Sequence, residues 1–205
     1  MIRKYSHNFK GTVGGIDEAG RGSLAGPVVA CAIIFQKKSK NCFPLKITDS
    51  KKLTPVKREK IYKIVKKLPQ VEWGIGKVGA KIIDKINILQ ATKLAMEKAV
   101  LNLTSKLNKK KLKINFLLID GNFGIDLNIP QKFIIKGDEK IFLIKLASIV
   151  AKVSRDKIML KYHKKYPQYG FDKHKGYPTD FHRKMLKKFG PSKIHRKTFA
   201  LYCNR

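Results

Sequence analysis

Acidic residues are scarce in this chain: 14 Asp and Glu stand against 46 Lys and Arg among 205 residues, for a formal charge of +32. The imbalance points to a polyanionic partner, nucleic acid first, because Lys and Arg displace condensed counterions from a phosphate backbone. Of the 46 basic residues 39 are lysine, so compositional drift explains the charge as well as function does; an evenly basic surface without a groove would favour drift. Cysteine is rarer still. Cys31, Cys42 and Cys203 are odd in number, far apart and without a C-x-x-C pair, which excludes a disulfide framework or a cysteine zinc site. Long apolar runs are missing too. Val28 to Phe35 and Phe116 to Ile119 fall short of the roughly 18 residues a bilayer demands, so no membrane partner is expected. The opening MIRKYSHNFKGT lacks an apolar stretch and a small-residue cleavage site, and the expected location is cytoplasmic.

The pattern that is present predicts one compact α/β unit. Thr12 to Ile16 and Pro27 to Phe35 read as a strand pair around the glycine turn Gly20-Arg21-Gly22. After a basic loop, Asp49 to Leu53, a helix opens at Pro55 and runs to Leu68 with Val56, Ile61, Ile64, Val65 and Leu68 on one face. Val71 to Val78 is a strand, and Asn87 caps a longer helix carrying Leu89, Leu94, Ala95, Val100 and Leu101. Strands at Ile114 to Ile119 and Lys132 to Ile135 follow, then a helix from Ile141 to Tyr166 and a short basic helical tail beyond Pro178. The expected fold is an α/β sandwich around a mixed sheet covered on both faces, with residues 1–166 as its body and 167–205 as an extension packed on it.

Against the scarcity of acids, three apolar runs end on them: Val13 to Ile16 before Asp17-Glu18, Phe116 to Ile119 before Asp120, and Phe133 to Ile135 before Lys136-Gly137-Asp138. One such acid does no more than open a turn; three strand ends closing on acids point to a shared site. Close carboxylates need cations between them, and hard Mg²⁺ or Mn²⁺ ions answer with oxygen coordination. Two ions about 4 Å apart activate water and stabilise the leaving oxygen in phosphodiester hydrolysis. Neighbouring strand residues face opposite ways, so Asp17 and Glu18 reach one site only if the strand bends or ends there. Gly20, Gly22 and Gly26 are one residue off the dinucleotide fingerprint, and no G-x-x-x-x-G-K-[ST] occurs.

The blocks Gly15-Ile16-Asp17-Glu18-Ala19-Gly20-Arg21-Gly22, Asp49-Ser50-Lys51-Lys52-Leu53, Leu118-Ile119-Asp120-Gly121-Asn122, Lys136-Gly137-Asp138, Ala147-Ser148-Ile149, Arg155-Asp156 and His174-Lys175-Gly176-Tyr177-Pro178 resemble, in order, those of ribonuclease HII. The similarity runs from about residue 11 to 200. It implies a ribonuclease H-like fold with a C-terminal helical extension. It also implies Mg²⁺- or Mn²⁺-dependent cutting of the RNA strand of RNA/DNA hybrids, and cutting 5′ to ribonucleotides in duplex DNA, with 3′-hydroxyl and 5′-phosphate ends and a role in ribonucleotide removal.

Carried over residue by residue, the resemblance makes Asp17, Glu18, Asp120 and Asp138 the catalytic metal ligands. Gly20, Arg21 and Gly22 read the ribose 2′-hydroxyl through backbone atoms, and Tyr177 packs on the neighbouring deoxyribose. Ser50, Lys51, Lys52, Ser148, Lys152 and Arg155 are candidate phosphate contacts; His174 positions its loop, and Asp156 forms an ion pair. Two departures stand out: Lys145 and Leu146 replace the first small residues of a run that is commonly Ser-Ala-Ala-Ser, bringing a positive charge towards the metals, and Ser23 stands where proline is frequent. A monomer is expected. The C-terminus carries no convincing clamp-binding segment, which leaves a sliding clamp an open partner. A non-catalytic nucleic-acid-binding protein and a nuclease for DNA junctions are the competing readings.

Overall fold

The computed structural model describes residues 11–36 and 53–201. Ser50, Lys51 and Lys52, with Cys42 and Cys203, lie outside the described residues. Five strands form one mixed sheet in the order β3-β2-β1-β4-β5: β1 (Thr12–Ala19), β2 (Val28–Phe35), β3 (Val71–Val78), β4 (Ile114–Asp120) and β5 (Gln131–Ile134). β1 pairs antiparallel with β2 and parallel with β4. This central position explains why the first strand carries glycines. A Cβ on Gly15 would lie 2.5 Å from the main-chain carbon of Leu143, so the side-chain-free residue lets a helix settle directly on the strand that ends in the acids.

That helix is α4 (Phe142–Lys165), which shares one face of the sheet with α1 (Pro55–Lys67). Cys31 and Ile33 of β2 pack there against Ile61, Val65, Leu146, Ala147 and Val150. The opposite face, Ile16, Ala30, Ala32 and Ile34, lies under α2 (Ala80–Asn108) through Ala95, Ala99 and Leu103. Both faces are thus covered, as the apolar, non-alternating strands predict. Cys31 is fully buried and burial pushes its thiol well up, which suits packing rather than reactivity. A short α3 (Gly137–Lys140), a 3₁₀ turn at Pro167–Tyr169, α5 (Phe171–His174) and α6 (Asp180–Phe189) complete the order.

Some boundaries differ from expectation. β1 runs three residues past Ile16, and the long helix begins at Ala80. Asn87 still acts as a cap: its φ of 63° breaks the helix and its Oδ1 accepts the Gln90 amide at 3.0 Å. The preceding turn of helix starts at a glycine without a side-chain cap, which left it without a start signal in the sequence. Val56 is 80% exposed and Leu101 56%, so neither belongs to the buried face assigned from spacing. The C-terminal segment closes over the β1–β2 loop, with Tyr169, Phe171, Leu186, Ile194 and Leu201 packed against Leu24, Ala25 and Met159. No described helix is long and apolar enough to cross a membrane.

Candidate active site and nucleic-acid interface

Strand alternation decides where the acids point. Asp17 pairs across the sheet with Cys31, on the α4 face, while Ile16 and Ile119 face α2. Asp17 and Asp120 therefore share the α4 face, and Glu18 starts out on the other. The strand neither bulges nor ends between Asp17 and Glu18, since its register with β2 continues to Ala19. What stops is the pairing with β4, at Ile16 and Ile119. Past that point Glu18 nonetheless hydrogen-bonds Asp17 and feels the charge of Asp120. The bend or strand end anticipated from sequence is replaced by a parting of two parallel neighbours.

The carboxylates feel one another strongly. Burial first, then the charges of Glu18 and Asp120, hold Asp17 well above the usual carboxylate range, against the Glu18 amide and the Ser148 hydroxyl, which hydrogen-bond it. That amide lies 2.7 Å from Asp17 Oδ1. Burial raises Glu18 too; Arg21 opposes the rise and Asp120 adds to it. Arg21 Nη1 sits 3.4 Å from Glu18 Oε1. Asp120 Oδ1 accepts the Gly137 amide at 2.6 Å, which brings the following residue, the fully buried Asp138, in beside β4. A set of hard oxygens pushed towards protonation is what a divalent cation relieves. Among the described residues no three acidic or imidazole groups form a ready-made cage.

Ser148, read from sequence as a candidate phosphate contact, hydrogen-bonds Asp17. Arg155 also requires correction. It is 0% exposed, and its guanidinium donates to the carbonyls of Pro27, Ala25 and Lys175 at 3.0, 3.1 and 2.9 Å, so it does not reach a phosphate on the surface. Lys152 lies beside Tyr177: its Nζ is 2.8 Å from Asp156 Oδ1 and 5.2 Å from the centre of the half-buried Tyr177 ring. Asp156 is thereby the ion-pair residue expected. Gly20 has φ +96°, and Arg21 and Gly22 are exposed. Lys145 is half-buried one helical turn before Ser148, and Leu146 is fully buried in the α1–α4 core.

Beyond Tyr177 the surface carries a basic groove. A groove of about 760 Å³ between α1 and α4 is lined by Arg58, Lys60, Lys63, Lys67, Lys157 and Lys175 over Val56, Ile64, Val153 and Leu160. The acids in its wall are already paired, Glu59 with Lys157 at 3.0 Å and Asp156 with Lys152 at 2.8 Å. It touches the Tyr177 region through Lys175 and Asp156, so the basic surface continues from the site along two helices.

Two groups escaped sequence reasoning. His182 and His195, with His174, form a buried stack: His174 and His182 rings lie 4.3 Å apart and His182 Nε2 is 3.0 Å from His195 Nε2. Arg196, fully buried, binds the Gly20 turn from the C-terminal tail. A lone basic residue in a sequence holding 46 of them gives no signal of burial. Ser23, singled out from sequence where proline is frequent, is 0% exposed, and its Oγ meets no hydrogen-bond partner among the described residues. Since an unsatisfied buried hydroxyl costs about 1–3 kcal/mol, Ser23→Ala is expected to raise stability by about 1 kcal/mol in urea melts; a loss would contradict it.

The ribonuclease HII family model matches residues 14–202. A ribonuclease HII of Caldanaerobacter subterraneus subsp. tengcongensis is 49% identical over 188 residues, 92% of this chain and 73% of that protein. Among solved structures, ribonuclease H2 from Pyrococcus horikoshii superposes with a TM-score of 0.69 at 29% identity, covering 93% of this chain and 95% of that one. RNase HII of Archaeoglobus fulgidus, solved in complex with PCNA, gives 0.69 at 25% identity over 95% of this chain and 98% of that one.

Proposed function

Because the chain belongs to the ribonuclease HII family and is thereby a metal-dependent endoribonuclease of the ribonuclease H type acting on RNA/DNA hybrids, we propose that it also cuts 5′ to ribonucleotides embedded in duplex DNA. Ends would be 3′-hydroxyl and 5′-phosphate, and the role ribonucleotide removal. The carrying observation is the juxtaposition of Asp17, Glu18 and Asp120: Glu18 and Asp120 raise the proton affinity of Asp17, and Asp120 raises that of Glu18. These three and Asp138 would hold Mg²⁺ or Mn²⁺, whose chemistry when bound is to activate water and neutralise charge at the scissile phosphate.

The chain's own residues do the rest. Ser148 and the Glu18 amide orient Asp17; the Gly137 amide orients Asp120. Gly20, Arg21 and Gly22 present backbone to the ribose 2′-hydroxyl, the group that separates RNA from DNA. Tyr177, with Lys152 over its ring, supports the next sugar, and the α1–α4 groove takes the backbone phosphates further along. The protein would act as a monomer, with residues 167–205 as an extension on the 1–166 body.

The test is a DNA duplex carrying one ribonucleotide, incubated with and without Mg²⁺ or Mn²⁺. Metal-dependent cutting 5′ of the ribonucleotide, lost in Asp120→Asn, is the expected result. Cutting of hybrid but never of this duplex would refute the proposed substrate.

A further inference from the structure

Two arginines, Arg155 and Arg196, are each 0% exposed and make no ion pair among the described residues. Arg196 donates through Nη2 to Gly20 O at 2.6 Å, through Nη1 to Arg21 O at 2.7 Å, and through Nε and Nη2 to Gly26 O at 3.1 and 3.0 Å. Its amide donates to Leu24 O at 2.8 Å. Arg155 takes Ala25 O and Pro27 O from below. Six of the eight carbonyls from Gly20 to Pro27 are thus drawn inward, all but those of Gly22 and Ser23.

What faces outward is complementary. The amides of Arg21 and Gly22 meet no protein acceptor among the described residues, and both residues are exposed. The arrangement is also tight: a Cβ on Gly20 would stand 2.0 Å from Arg155 Nε, so the turn and the guanidinium fit only with glycine there. Burying two guanidiniums on main-chain carbonyls, with carboxylates acting only from a distance, Asp84 on Arg196 and Asp156 on Arg155, is an expensive way to fill a core, for which apolar residues serve as well or better. A planar fork of donors has a different merit, since it fixes the orientation of the peptide planes it binds.

We propose that Arg196, with Arg155 beneath it, is a positioning residue for ribonucleotide recognition: it sets the Gly20-Arg21-Gly22 peptides so that their free amides meet an oxygen of the substrate sugar. The C-terminal tail then belongs to the specificity site and is not only a cover for the loop. This rests on the reading that the glycine turn senses the 2′-hydroxyl.

The experiment measures binding, by fluorescence anisotropy with Ca²⁺ in place of a catalytic ion, of two duplexes identical except that one nucleotide is ribo or deoxy. Wild type should prefer the ribo duplex. In Arg196→Lys, which keeps the charge and loses the fork, that preference should fall about tenfold or to unity, the scale of one or two hydrogen bonds, with all-DNA affinity unchanged. Arg155→Lys supplies the same comparison should Arg196→Lys melt below the assay temperature. Equal weakening on both duplexes, or an intact preference in the folded variants, would overturn the inference. A wild type with no preference would instead remove the 2′-hydroxyl reading on which it stands.

Discussion

Asp17→Asn is expected to lower cleavage about a thousandfold or more while raising the melting temperature of the metal-free protein. The first effect follows, on the proposed metal site, from withdrawing a ligand from ions that would supply several kcal/mol to the transition state, at 1.36 kcal/mol for each factor of ten. The second follows from the electrostatics. Asp17 is buried beside Glu18 and Asp120, and all three causes raise its proton affinity, so at neutral pH its charge works against the fold. Asparagine keeps an oxygen for the Glu18 amide and the Ser148 hydroxyl and removes the repulsion. Each kcal/mol relieved corresponds to about 2–4 °C for a chain of this size. With Mn²⁺ added the order should reverse, since only wild type gains the full stabilisation of binding. Calorimetry with and without the ion, beside steady-state cleavage, decides the matter. A variant both inactive and less stable without metal would show that Asp17 is structural rather than a strained ligand.

The legibility of this site in the sequence was uneven for physical reasons. Strand ends were visible because β-branched runs close on acids, and Asn87 because a cap has its own chemistry. Covered sheet faces were visible because β2 lacks alternation. The route by which Glu18 joins Asp17 was not, because it depends on where β1 and β4 part, a pairing between segments about a hundred residues distant in sequence. Arg155 was misplaced on the surface for a related reason. Its burial is dictated by carbonyls of the β1–β2 loop, and nothing local to α4 distinguishes it from Lys152, three residues earlier and half-exposed. Val56 and Leu101 were misassigned because helical spacing locates a stripe but not its edges. The α1–α4 groove brings six cations to one channel, an arrangement sequence composition alone does not reveal.

Acidification should destabilise the C-terminal layer through its buried histidines. Hydrogen bonds fix the tautomers of the three stacked histidines. His174 Nε2 and His182 Nδ1 face the carbonyls of Tyr169 and Tyr177 and must donate. His195 Nδ1 accepts the Ser192 amide, which leaves its Nε2 proton to point at His182 Nε2. No ring nitrogen has room for a further proton without opposing a donor or another imidazole. Around them stand Phe171, Tyr169 and Phe181, with Arg183 and Lys175 adding positive charge and Asp172 opposing it at His174. Burial first, then these neighbours, pulls His182 down to about 3 and His195 to about 4. The unfolded chain takes up these protons near pH 6.5, so the unfolded state binds more protons than the native one below that value. Stability is therefore complete above about pH 6.5 and falls as the pH drops towards the folded values, by roughly 2–4 kcal/mol between pH 6.5 and 4.5. His182→Asn keeps a donor for the Tyr177 carbonyl and removes one titrating ring. Its urea midpoint should lie lower at neutral pH yet vary less between pH 7 and 4.5 than that of wild type. An unchanged slope would mean that the stack takes up protons without opening, and that the acid sensitivity of this fold lies elsewhere than under Tyr177.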